Sequence, residues 1–317
     1  MTRHNPAQNL FDPRQGAEAL CVRPLQHTPG PWEPERSNYF TIYHIVSGQG
    51  EFWADTTRQA LAARSLLFFT PYQRIRIHSE TELVGDVIQF HANFLCVETF
   101  HAESGCAGSL FNDPYHPPVV ALHKDKLRRE VTRLLQSLHQ EQQTRDLGYE
   151  EILRAQLKIL LVLATRQKSQ PAGLAQATSH KVRHPALGPL KELIEAHYQT
   201  CHAPSDYAHK LHLSPKTLGR IVREQLGKSL TDLIRERILT HAKWQLLHTL
   251  KPVKEIAREV GFEDELYFSR LFKRATGYSP TFFRQFETEI RGGSNLSMFS
   301  SAAPILSERQ SAENPAG

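Results

Sequence analysis

The sequence predicts a multidomain α+β protein: an N-terminal β-barrel carrying a helical hairpin, then a C-terminal domain built only of helices. Three observations carry that expectation. The 317 residues are about twice a typical domain of ~150, enough for two units that each bury a core. Short runs of β-branched and aromatic residues crowd between Tyr39 and Val97, whereas helical periodicity is nearly continuous from Ala186 to Phe286. The charge divides at the same place. Basic and acidic residues number 18 each from Met1 to His180, but 19 and 13 from Lys181 to Arg291, and 1 and 2 beyond. A positive field confined to one domain suits a polyanionic partner such as nucleic acid.

Residues 1–30 are polar and broken by proline and read as an extended arm. Strands are predicted at 39–46, 50–54, 65–69, 74–78 and 83–91, separated by turn residues that include Gly48, Gly50, Asp55 and Pro71. Short strands at this spacing indicate a barrel or sandwich, so the front domain is assigned to 31–168. Its last part turns helical. Leu127, Val131, Leu134, Leu135 and Leu138 fall on one face of a first helix, and Ile152, Ile159, Leu160 and Leu163 on a second. Gly148 lies between them, which predicts an antiparallel hairpin with one face on the barrel and a leucine stripe left for a second copy of the chain. Residues 169–185 have linker composition, 186–290 form the helical domain, and 291–317 have the composition of a disordered tail.

Several classes are excluded. The longest apolar run, Ile159 to Ala164, falls far short of the ~20 residues that cross a bilayer. The first thirty residues lack the apolar core of a signal peptide, so a cytoplasmic location is expected. Cys21, Cys96, Cys106 and Cys201 are scattered without a CxxC pair, against a disulfide framework or zinc module. A catalytic metal barrel would need clustered His ligands, but GQGEFWAD lacks HxH, and His78 and His91 stand apart. No enzyme, metal or cofactor is expected.

The helical domain contains an internal repeat. A shift of 50 aligns Leu218, Arg220, Ile221, Val222, Arg223, Gly227, Ser229 and Leu233 with Phe268, Arg270, Leu271, Phe272, Lys273, Gly277, Ser279 and Phe283. A shift of 49 aligns Ala208, Leu211 and Leu213 with Ala257, Val260 and Phe262. Each copy reads as a helix-turn-helix: a short helix with a small residue, a tight turn, an N-cap at Ser214 or Asp264, and a second helix ending at a glycine suited to a left-handed cap. Such a second helix can enter a major groove. Between the copies, 229–248 contains no Gly or Pro; twenty helical residues span roughly 30 Å, close to the ~34 Å turn of B-DNA.

The run PVKEIAREVGFEDELYFSRLFKRATGYSPTFFRQ (252–285) resembles the signature of the AraC/XylS family of bacterial transcription regulators. IVSGQGEF (45–52) and LLFFTP (66–71) more loosely resemble that family's cupin-like sensor and dimerisation domain. The resemblance implies a double-stranded DNA reader governed by a small-molecule effector, acting as a homodimer and contacting RNA polymerase. By motif alignment it places Lys216, Gly219 and Arg220, then Leu266, Tyr267 and Arg270, toward the bases. An Arg fork can pair with guanine O6 and N7; the alternatives are a solvated charge or an intradomain salt bridge. Leu266 suits a thymine methyl and Tyr267 a phosphate, with core packing the alternative for both. Arg223, Lys273 and Arg274 are expected on backbone phosphate. In the barrel, Arg36, Tyr43, His44, Trp53, Gln89 and His91 could supply polar groups to an enclosed ligand, although strand parity does not say which face is inside. An effector-independent binder whose front domain only oligomerises is the competing expectation.

Overall fold

Alternation along the strands decides how the front domain closes. The computed structural model describes residues 10–97, 100, 110–111, 113–169 and 184–291; the start of the arm, nearly all of the expected linker and the tail beyond Arg291 lie outside them. Among the described residues, nine strands run β1 (Leu20–His27), β2 (Gly30–Trp32), β3 (Phe40–Ser47), β4 (Gly50–Ala54), β5 (Thr57–Leu61), β6 (Ser65–Phe69), β7 (Ile75–Ser79), β8 (Leu83–Phe90) and β9 (Val119–Ala121). They form two antiparallel sheets, ordered β1-β8-β3-β6-β9 and β2-β7-β4-β5. Tyr43, Ile45, Leu67 and Phe69 of the larger sheet meet Phe52, Ala54, Ile75 and Ile77 of the smaller in the space between them.

The other parity of the large sheet is also covered. Ile42, Leu66, Phe68, Ile88 and Phe90 pack beneath α1 (Asp125–Thr144) and α2 (Tyr149–Ser169). This double covering explains why SLLFF at β6 is buried at every position and reads in sequence as an unbroken apolar run. The hairpin is therefore present, but the buried face of α2 is Leu153, Leu157, Leu160, Leu161 and Ala164. Ile152 and Ile159, expected on the same stripe as Leu160, are exposed.

Two departures from expectation have local causes. Leu20–His27, within the segment read as an arm, pairs along its whole length with β8. Pro24 hid it, yet β1 is an edge strand, where a missing N–H is tolerated. The polar Thr57–Leu61 forms β5 because Thr57 and Leu61 point inward while Arg58 and Ala60 face solvent.

The C-terminal domain contains α3 (Leu187–His197), α4 (Pro204–Lys210), α5 (Pro215–Leu226), α6 (Leu230–His248), α7 (Val253–Glu259), α8 (Glu265–Thr276) and α9 (Pro280–Ile290). Its core is continuous with Leu10 and Phe11 of the arm and with Tyr72 and Tyr115 of the front domain, so the two halves share one apolar seam. A buried carboxylate crosses that seam. Glu287 on α9 accepts from Asn38 Nδ2 at 3.3 Å and from the Tyr72 hydroxyl, and lies 3.5 Å from His91 Nε2. Arg291, one turn on, closes the group at 3.2 Å. Burial works to raise the Glu287 carboxyl, but the hydrogen bonds and charges of His91, Arg291 and Tyr72 outweigh it and hold the carboxyl below its ordinary range.

Candidate nucleic-acid interface

The two helix-turn-helix units are the same backbone built twice. In the first turn, Leu213 N donates to Ala208 O at 2.9 Å and His212 N to His209 O at 3.0 Å; in the second, Phe262 N donates to Ala257 O at 2.8 Å and Gly261 N to Arg258 O at 2.9 Å. The corner residues His212 and Gly261 are equivalent and both left-handed, with φ of 53° and 92°. Only the second requires glycine for space, because a Cβ there would lie 2.1 Å from the Gln199 carbonyl. Ala208 and Ala257, both fully buried, let each first helix approach its partner closely.

Caps fix the reading helices α5 and α8, each twelve residues long. Ser214 Oγ accepts from Thr217 N at 3.1 Å and Asp264 Oδ1 from Leu266 N at 2.7 Å. Gly227 and Gly277 end the helices in the left-handed region, at φ 69° and 91°. Inward faces match position for position: Leu218 and Val222 in α5, and Phe268 and Phe272 in α8, are fully buried. The nineteen residues of α6 span about 28 Å between the units.

With those faces buried, the outward residues are fixed. Lys216, Arg220 and Arg223 on α5 are exposed, as are Leu266, Tyr267, Arg270, Lys273 and Arg274 on α8. Leu266 is 71% exposed, a large apolar side chain in water rather than in the core. Gly219 is half-buried, and a Cβ there would meet nothing within 4 Å. The two arginines differ in company. Arg220 Nη1 donates to both carboxylate oxygens of Glu224, at 3.2 and 3.3 Å, whereas Arg270 has Asp264 only at 4.0 Å.

The six candidate effector residues fall in three places. Tyr43 and Gln89 line a pocket of about 410 Å³ beside Trp32 and Arg23. Arg36, Trp53 and His91 border a cleft of about 1400 Å³ between the front and helical domains. Trp53 is there because Phe52 and Ala54 take the inward parity of β4; outside, its ring lies between the guanidinium groups of Arg58 and Arg76, 5.8 and 5.3 Å away. His44 belongs to neither space. It has the parity of Ile42, and its Nδ1 lies 3.0 Å from Asp86, which His139 of α1 approaches at 2.9 Å. His91 stacks on Phe11 with centroids 4.4 Å apart.

Sequence reasoning did not single out Arg76 or Lys243, which also line the cleft. Among the described residues, Arg76 Nε is buried without a hydrogen-bond partner, and burial pulls the Lys243 ammonium below its ordinary range. The front domain touches both reading helices at equivalent caps. A Cβ on Gly227 would lie 3.0 Å from the Arg58 carbonyl, and one on Gly277 3.2 Å from Arg36 Nη1.

A family model described as a helix-turn-helix domain matches residues 207–285. The arabinose operon regulatory protein of Salmonella typhimurium is 43% identical over 77 residues, 24% of this chain and 27% of that protein. The HTH-type transcriptional activator RhaR of Yersinia pestis is 29% identical over 155 residues, 48% of this chain and 51% of the relative. The chain thus spans about a quarter to a half of the length of the curated relatives it matches. Among solved structures, the C-terminal domain of AraT, a response regulator from Geobacillus stearothermophilus, is 32% identical, with a TM-score of 0.32 over 33% of this chain and 88% of that one.

Proposed function

We propose that this chain is a sequence-specific regulator of transcription of the AraC/XylS family, whose helix-turn-helix regulators its second half resembles. α5 and α8 of one protomer enter successive major grooves on the same side of a duplex. The observation that carries this reading is the repeat itself: equivalent helices, capped at equivalent positions and burying equivalent faces, hold Arg220 and Arg270 in solvent. Arg223, Lys273 and Arg274 hold phosphate and set affinity, while the outward residues nearer each helix start choose sequence.

The front domain supplies control. A small-molecule effector binds the interdomain cleft, where Arg36, Trp53, Arg76, His91 and Lys243 present polar and aromatic groups and the orphaned Arg76 Nε gains a partner. A ligand there shifts the readers only by favouring one arrangement of the two domains over another, and the cap contacts at Gly227 and Gly277 are the route. The exposed Ile152 and Ile159 of α2 meet their counterparts in a second copy to form a homodimer, and the DNA-bound dimer contacts RNA polymerase. The sensor domain begins at about residue 20, where β1 joins the sheet, and ends with α2 at Ser169; the reader runs from α3 to the end of α9.

Selection of genomic fragments by the full-length protein tests the core of this proposal. Enrichment of sites carrying a shared two-part motif, with affinity falling steeply as salt rises, is the expected result; fragments bound without sequence preference would refute it. For the effector, a metabolite panel should contain compounds that raise Tm and change affinity for the enriched fragment. A panel that moves neither favours a front domain that only oligomerises.

A further inference from the structure

The repeat that makes the readers alike also shows where they diverge. Arg220 and Arg270 are equivalent, but one turn later the shift of 50 sets Glu224 against Arg274, and one turn earlier Lys216 against Leu266. Arg220 thus sits between a cation at i−4 and an anion at i+4, and its guanidinium has moved to the anion, with Nη1 shared between the two Glu224 oxygens. Gly219 beside it contributes no side chain to steady the guanidinium. Both partners are exposed, Arg220 by 64% and Glu224 by 42%, so an i,i+4 pair of this kind adds little to stability.

Its consequence lies in what Arg220 can read. An unpartnered arginine is drawn to phosphate oxygens as readily as to a base, and that attraction carries no sequence information. With Nη1 occupied and its charge partly offset, Arg220 is drawn less to phosphate, while Nε and Nη2 stay free to donate. The guanine O6 and N7 pair accepts two such donors in one plane. A carboxylate beside the phosphate backbone also weakens binding to every sequence. Lower general affinity with a sharper base preference is the combined effect.

We propose that Glu224 is a specificity-determining residue of the first reading helix, a positioning residue that holds Arg220 for a guanine and away from phosphate. The inference rests on α5 being a DNA reader, as proposed above.

Full-length wild type, Glu224→Ala, Glu224→Gln and Arg220→Ala, each selected against a duplex library with a random core, separate the two. Wild type is expected to enrich a two-part motif with a guanine in one half. In Glu224→Ala, preference at that guanine falls about five- to tenfold, the other half is unchanged, and affinity for a scrambled duplex rises about two- to fivefold. Glu224→Gln, which keeps the acceptor but not the charge, falls between. Because Glu224 acts through Arg220, a double variant carrying Arg220→Ala and Glu224→Ala loses no more preference at that base than Arg220→Ala alone. Thermal unfolding of Glu224→Ala should match wild type, so that altered reading is not loss of fold. A Glu224→Ala motif identical to wild type, or equal weakening of both halves, overturns the inference while leaving DNA reading intact. A wild type that enriches no motif overturns the reading beneath it as well.

Discussion

The two helix-turn-helix units compare like castings from one mould finished for different surroundings. Turn hydrogen bonds, caps and buried positions coincide at fixed shifts, but the sizes filling those positions do not. Leu218 and Val222 in the first unit are Phe268 and Phe272 in the second. The following helices differ more. Arg237 on α6 pairs with Glu195 at 2.7 Å inside the helical domain, whereas its equivalent on α9 is Glu287, buried against Asn38, Tyr72 and His91 of the front domain. The second unit is thus tied to the sensor through a charge, the first chiefly through backbone contact. A duplicated fold fixes what the core must supply and leaves the outer faces free to take different partners.

Core truncation should expose the difference most. Phe272→Ala, removing a fully buried ring, is expected to cost about 3–5 kcal/mol. Val222→Ala at the equivalent place costs about 1–3 kcal/mol. Denaturant midpoints at constant m measure both, and equal losses would mean that the second unit's larger side chains do not carry proportionate stability.

At the turns, Gly261→Ala forces a Cβ against the Gln199 carbonyl in a left-handed backbone, for an expected loss of at least about 2 kcal/mol. His212→Gly relieves the same conformation and should stay within about 1 kcal/mol of wild type, on the stabilising side. If both variants destabilise alike, the turns are not interchangeable.

On DNA, Arg270→Ala should lower affinity for a selected site by about 1–3 kcal/mol without changing Tm. Arg220→Ala should lower it by less, about 1 kcal/mol, because Glu224 already offsets that charge. Titrations at two salt concentrations distinguish them, and the reverse order would contradict the asymmetry.

The smallest effect is confined to acid. Glu287 has a folded-state value held below the ordinary glutamate range, so its contribution is complete above about pH 4.3 and is lost as pH falls through the depressed value. Glu287→Gln should flatten the acid limb of the stability profile, and an unchanged limb would show that the interdomain carboxylate carries no such linkage.

How much of this was legible in the sequence depends on how strongly each segment was constrained. The helix-turn-helix units were readable because N-cap residues, the helix-ending glycines Gly227 and Gly277 and core positions recur at shifts of 49 or 50, so each copy checks the other. Strands β3, β4, β6, β7 and β8 were readable from β-branched and aromatic runs. β1 was hidden by Pro24, and β2 and β9, three residues each, are too short for a periodic signal. The face of α2 was misjudged because apolar residues nearly encircle it, and only packing under the sheet separates Leu157 from Ile159. The sensor residues were least legible: adjacent Tyr43 and His44 point to opposite sides of one strand, and Trp53 borders a cleft that exists only once the two domains meet. Glu224 was visible all along opposite Arg274, but its meaning depends on a distance.

Hydroxyl-radical footprinting of the full-length protein on a selected duplex tests the central claim most directly. Two patches per protomer, about one helical turn apart on one side of the DNA, are predicted, with Arg220→Ala weakening one patch and Arg270→Ala the other. A single patch per protomer, or two that both fade with either variant, would contradict a protein that reads successive grooves with two separate helices.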